Sequence, residues 1–153
     1  MKKVLVILLA AGAAYFAFAQ YGGFGKPVYA EIRLQNTDLG VELLGLGMMN
    51  SESDCQSRAS HFWSKVLASN TRFTLVSTKC TQQIPARFQG IFENRQYHAT
   101  YVSFEKGGIG ERDGRFVIYG VPSTEMGRFC PEFVRKAKEN YSGKVECVLG
   151  SVG

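Results

Sequence analysis

From Val28 to Gln35 the chain alternates, with Val28, Ala30, Ile32 and Leu34 at every second position. That period predicts a half-buried strand. Asn36-Thr37-Asp38 and Gly40 supply turn chemistry, and Val41 to Met49 reads as a second, more buried strand that completes a hairpin. The period then lengthens. Ser53, with Gln56 three residues on, predicts a capping box. Behind it Cys55, Ala59, Phe62, Trp63, Val66 and Leu67 fall on one helical stripe, with Arg58, Ser60, Ser64 and Lys65 off it. The run from Arg72 to Thr78 returns to β-forming residues and ends at Cys80.

The segment Thr81 to Asn94 has the weakest pattern; its short apolar run Phe88 to Phe92 predicts one additional strand before a turn at Glu93-Asn94-Arg95. Tyr97 to Lys106 and Arg115 to Gly120 predict a second hairpin around the glycine-rich loop Gly107 to Gly114. Cys130, Phe133, Val134, Ala137 and Tyr141 form another helical stripe. Pro131 reads as a first-turn residue, so this helix is expected to start at Cys130-Pro131 and to end at Gly143. Lys144 to Leu149 is a closing strand, with Cys147 in phase with Val145 and Leu149. Both halves thus share an order of hairpin, helix and strand. The expected fold is α+β, with two ββαβ units, Val28 to Cys80 and Tyr97 to Leu149, forming an antiparallel sheet with two helices packed on one face.

The N-terminus adds an address. Met1-Lys2-Lys3, an uncharged run from Val4 to Phe18 and the small-x-small sequence Ala17-Phe18-Ala19 predict a signal peptide over residues 1–19. The alternative is a retained anchor, since no charge falls between Lys3 and Lys26, enough to span a hydrocarbon core of roughly 30 Å. In both cases the lysines hold the N-terminus in the cytoplasm and the remainder lies outside it. Residues 20–27 read as a linker and 28–153 as a single exported domain. The expected location is periplasmic or secreted, or the inner membrane if residues 4–25 stay uncleaved, and those residues would be the only membrane contact.

Export changes the meaning of the four cysteines. Cys55, Cys80, Cys130 and Cys147 are expected to form two disulfides, most simply Cys55 with Cys80 and Cys130 with Cys147. No pair has the close spacing of a zinc knuckle, so no metal is expected. Cys130, before a proline, is also the place for a redox thiol, but Phe133 stands where a resolving cysteine would be. The loop's glycines fit neither a dinucleotide nor a calcium motif, and no cofactor is expected. His61 and His98 come with no catalytic signature, and the carboxylates show no pairing. The net charge of +5 includes the two signal lysines, which leaves 5 − 2 = +3, scattered along the exported part, so no nucleic-acid partner is indicated.

What remains is a recognition surface. Tyr97, Tyr101, Tyr119 and Arg115 are expected on an exposed sheet face, beside a mobile tip carrying Gly108, Gly110 and Arg112. The expectation is a non-catalytic, disulfide-stabilised binding module for a protein or cell-envelope partner. Alternatives are a periplasmic enzyme, either a thiol redox protein using Cys130 or a hydrolase assembled through space, and a secreted inhibitor or immunity-type protein.

Overall fold

A computed structural model describes residues 26–62 and 73–151. The signal or anchor segment, linker residues 20–25, and Trp63, Val66 and Leu67 of the first helical stripe lie outside them. In chain order the elements are β1 (Val28–Asn36), β2 (Val41–Met49), α1 (Glu52–Phe62), β3 (Thr74–Thr81), α2 (Ala86–Phe92), β4 (Thr100–Glu105), β5 (Gly114–Tyr119), α3 (Ser123–Lys138) and β6 (Lys144–Val148). The strands form one six-stranded sheet in the order β3-β1-β2-β5-β4-β6, every pair antiparallel. The fold is mixed α+β.

Residues side by side in neighbouring strands point to the same face. One face carries the row Ala30, Gly47, Gly114, Phe104 and Val145, and next to it Ile32, Gly45, Phe116, Val102 and Cys147. The opposite face carries Glu31, Leu46, Arg115, Ser103 and Glu146, then Arg33, Leu44, Val117, Tyr101 and Val148. On the first face Cys55 of α1 packs with Val28 and Ala30, and Ala59 with Ile32 and Leu34. Met126 and Cys130 of α3 pack with Ile118. On the opposite face Phe88 and Ile91 of α2 pack with Leu44, Leu46, Tyr101 and Val117.

Two disulfides join helix to strand, Cys55 to Cys80 and Cys130 to Cys147, with Cα separations of 6.1 and 5.9 Å. This is the expected pairing, but its setting differs at Cys130. Helix α3 begins at Ser123, so Cys130 and Pro131 sit in its middle and the proline does not mark a start. A mid-helix proline cannot donate to the carbonyl four residues earlier, that of Gly127, and costs about 3 kcal/mol in an isolated helix. Burial of Met126 and Cys130 and the adjacent bridge hold the helix through this point.

Two further expectations are corrected. The run Phe88 to Phe92 is the end of a helix, because Phe88 and Ile91, three residues apart, fall on one helical face and are both buried. The first helix is capped two residues earlier than expected. Ser51 Oγ accepts from the Asp54 N–H at 3.1 Å, and the Asp54 carboxylate accepts from the Asn50 N–H at 3.1 Å. Asp54 thereby takes the place expected of Gln56, with its bond reaching the N–H of Asn50, one residue before the cap.

Candidate functional site

A cleft of about 670 Å³ opens over the middle of the first face. Its floor includes Gly45, Gly47, Gly114 and Phe116, from the central strands β2 and β5. Asp54, Arg58 and Phe62 of α1 line one wall; Phe104, Tyr141 and the loop from Gly110 to Asp113 line the other. The glycines create the depth. Among the described residues a methyl group on Gly45 would meet only Ile32, at 3.8 Å, an ordinary contact, so none of them requires a glycine there. Glycine in a strand interior is destabilising by roughly 0.5–1 kcal/mol, and its effect here is to leave bare backbone at the floor of an apolar cleft.

The rim is fixed by charge. Asp54 accepts from Arg58 Nε and Arg112 Nε, both at 2.7 Å. Arg58 Nη2 also donates to the Gly110 carbonyl at 2.9 Å, and Arg112 Nη1 to the Ile109 carbonyl at 3.1 Å. Desolvation pushes the Asp54 carboxyl up, but the bonds from Arg112, Arg58 and the Asn50 N–H outweigh it and hold the pKa at about 2. The Glu111 carboxylate gathers the N–H groups of Ser142, Gly108 and Gly107, and these bonds lower its pKa to about 2. Tyr141 donates its hydroxyl to the Arg112 carbonyl at 2.8 Å. The loop expected to be a mobile tip is therefore tied to α1 on one side and to Ser142 on the other. Gly110 and Arg112 line the cleft, while Gly108 serves the Glu111 cage.

The tyrosine and arginine surface needs a larger correction. Tyr101 and Arg115 do point to one face, as the strand period implied, but α2 covers that face and leaves them 0% and 3% exposed. Tyr101 donates to the Arg95 carbonyl at 2.7 Å. Arg115 donates Nε to Ile91 O at 2.9 Å and Nη2 to Phe92 O at 3.0 Å, which are carbonyls at the end of α2, and Nη1 to Phe104 O and Gly114 O. It is a buried helix clamp. Tyr97 and Tyr119 are half-buried, with their hydroxyls 3.2 Å apart. Burial and the Tyr97 bond push the Tyr119 phenol well above its ordinary range.

All four cysteines are bridged, so Cys130 presents no thiol. The rings of His98 and Tyr97 lie tilted against each other with centroids 4.0 Å apart, and His61 lines the cleft. Among the described residues no cluster of three metal-ligating side chains occurs. Asp54, Arg58, Gly45 and Phe116 were not singled out from sequence. The spacing of Gly45 and Gly47 was the available signal, because two glycines at period two in a strand leave the same face bare. No family model, no curated protein and no solved structure matches the chain.

Proposed function

We propose that the chain is a small exported, disulfide-stabilised binding module that takes an apolar group of a protein or cell-envelope partner into the glycine-floored cleft, without catalysis. The carrying observation is the cleft itself, with bare backbone below, Phe62, Phe104, Phe116 and Tyr141 around it, and a rim held by Asp54. Its volume lies within the range of roughly 300–1,000 Å³ usual for ligand sites. Two disulfides fit an oxidising, extracytoplasmic compartment, periplasmic or secreted. We read the domain as two ββαβ units, β1-β2-α1-β3 and β4-β5-α3-β6, joined along β2 and β5 with α1 and α3 on the same face. In this reading the cleft is the seam between the halves.

The test is a fluorescence titration with N-phenyl-1-naphthylamine at low micromolar protein. The disulfide-intact protein should bind the dye saturably, and Gly45→Leu, whose Cβ meets Ile32 at an ordinary 3.8 Å and whose side chain extends from the cleft floor, should abolish binding while keeping the native circular dichroism. Equal binding by the variant would refute the site.

A further inference from the structure

Ile109 is the most exposed large apolar side chain among the described residues, 95% accessible at the tip of the β4–β5 loop. An isoleucine that touches nothing is ordinary on a loose loop, yet this loop is held on every side. Its own carbonyl accepts from Arg112, that of Gly110 from Arg58, and the amides of Gly107 and Gly108 donate to Glu111. The side chain is thus presented on a rigid mount, so burying it in a contact costs little ordering entropy. Beside the mount, sharing Gly110 and Arg112 as wall, is the open apolar cleft.

We infer that the occupant of the cleft is a second copy of this chain, with Ile109 of each copy inserted into the cleft of the other. A projecting knob and a hole side by side on one surface are self-complementary under a two-fold rotation, and such an interface closes at a dimer. Charge agrees. Two copies bring the same signs together, which a net charge at the contact would oppose. Here the rim's opposite charges are already paired within each copy, Asp54 with Arg58 and with Arg112, which lessens that repulsion. Phe129 and Phe133, 62% and 37% exposed on α3, extend the apolar surface, since Phe133 stacks on Phe116 of the cleft floor at 6.2 Å between centroids. The inference rests on the cleft being a binding site and names what fills it.

The experiment is sedimentation velocity on the disulfide-intact exported protein from about 1 to about 200 μM, a range that spans ordinary weak self-association. The expected result is a monomer–dimer equilibrium. Ile109→Asp removes both knobs and should raise the dissociation constant at least about 100-fold. Gly45→Leu fills both holes and should do the same. An equimolar mixture of the two variants should then form heterodimers that neither forms alone, because one intact knob meets one intact hole. The inference is overturned by a wild-type monomer at the highest concentration, by an Ile109→Asp dimer as tight as wild type, or by a mixture that stays monomeric. Saturable dye binding by a protein that never dimerises would overturn the self-association alone and leave the cleft as a site for another partner.

Discussion

Replacing Arg115 by methionine keeps the straight aliphatic stem and removes the guanidinium, and it should cost about 3 kcal/mol of folding stability. Two opposing effects set that figure. Arg115 is 3% exposed, and burial pushes its pKa down, so the cation is held at a desolvation cost that methionine does not carry. Against this stand four donated bonds, to the carbonyls of Ile91, Phe92, Phe104 and Gly114 at 2.8 to 3.0 Å. Bonds from a charged donor contribute about 1.5–3 kcal/mol each, and a buried carbonyl left alone costs about 1–3 kcal/mol. The Ile91 carbonyl keeps a second donor, the Asn94 N–H at 3.1 Å, so it is not left unpaired. The net loss therefore lies well below the sum of four bonds, at about 3 kcal/mol. Urea unfolding under non-reducing conditions is the assay; with a slope of about 1.5–2 kcal/mol/M the midpoint should fall by about 1.5–2 M. Amide exchange should rise first in residues 86–92, which lose their clamp. A loss under about 1 kcal/mol, with α2 still protected, would show that the Phe88 and Ile91 contacts alone hold the helix and that the clamp reasoning is wrong.

Three further outcomes follow from other parts of the fold. The double variant Cys130→Ala/Cys147→Ala opens a loop with a sequence separation of 17 and should lose about 3 kcal/mol in urea, whereas Cys55→Ala/Cys80→Ala, with a separation of 25, should lose slightly more. A larger loss from the shorter loop would show that native contacts rather than chain entropy set the order. Asp54 is depressed to about 2, so its contribution is complete above its unfolded value near 4 and disappears as pH falls through about 2. After allowance for water at the cleft mouth it should amount to about 1 kcal/mol. Acid titration of stability for wild type and Asp54→Asn should show the difference between them closing between pH 4 and 2. Tyr141 is pushed up to about 12, chiefly by burial and by the nearby Glu111, so the folded state keeps its phenol protonated and loses that stabilisation as pH rises from about 10 towards 12. Absorbance at alkaline pH should show one late-ionising tyrosine disappear in Tyr141→Phe.

Periodicity carried most of the architecture. The strand alternation in Val28 to Gln35 and the stripe from Cys55 to Phe62 correspond to β1 and α1, and the even cysteine count, with the repeated order of helix cysteine then strand cysteine, pointed to the right disulfides. The failures share a cause, which is that tertiary partners decide what a local pattern leaves open. Phe88 to Phe92 fits a short strand or a helical turn equally by composition, and the apolar face of Leu44, Leu46 and Val117 selected the turn. Pro131 reads as a helix start only when the preceding turns are ignored; Met126 and Cys130, four residues apart and both buried, already belong to the same helix. Misassigning residues 81–94 had a functional consequence, because the face that α2 covers then looked open. Tyr101 and Arg115 were placed on the correct side of the sheet and given the wrong neighbour.

The position of the cleft follows from the order of the strands. In the two-unit reading each half contributes three strands, and each long helix lies over its own half, disulfide-bonded to a strand at the sheet edge: α1 to β3 and α3 to β6. That anchoring holds the helices towards the outside. Helix α3 still covers Ile118 and Phe116 of β5 with Met126, Cys130 and Phe133, but the stretch of β2 and β5 around Gly45, Gly47 and Gly114 is left to side chains alone. At Gly45, Gly47 and Gly114 there are none, so the seam becomes a groove. The opposite face has no such gap, because the connection between the halves folds into α2 and Arg115 ties that helix down over the same two strands. A Cβ at Gly45 would begin to cover the groove and would meet no described atom closer than Ile32 at 3.8 Å. Among the described residues, the sheet thus forgoes burial at its own centre while Ile109 is held out beside it, and that pairing of groove and projecting side chain is what the proposed contact would use.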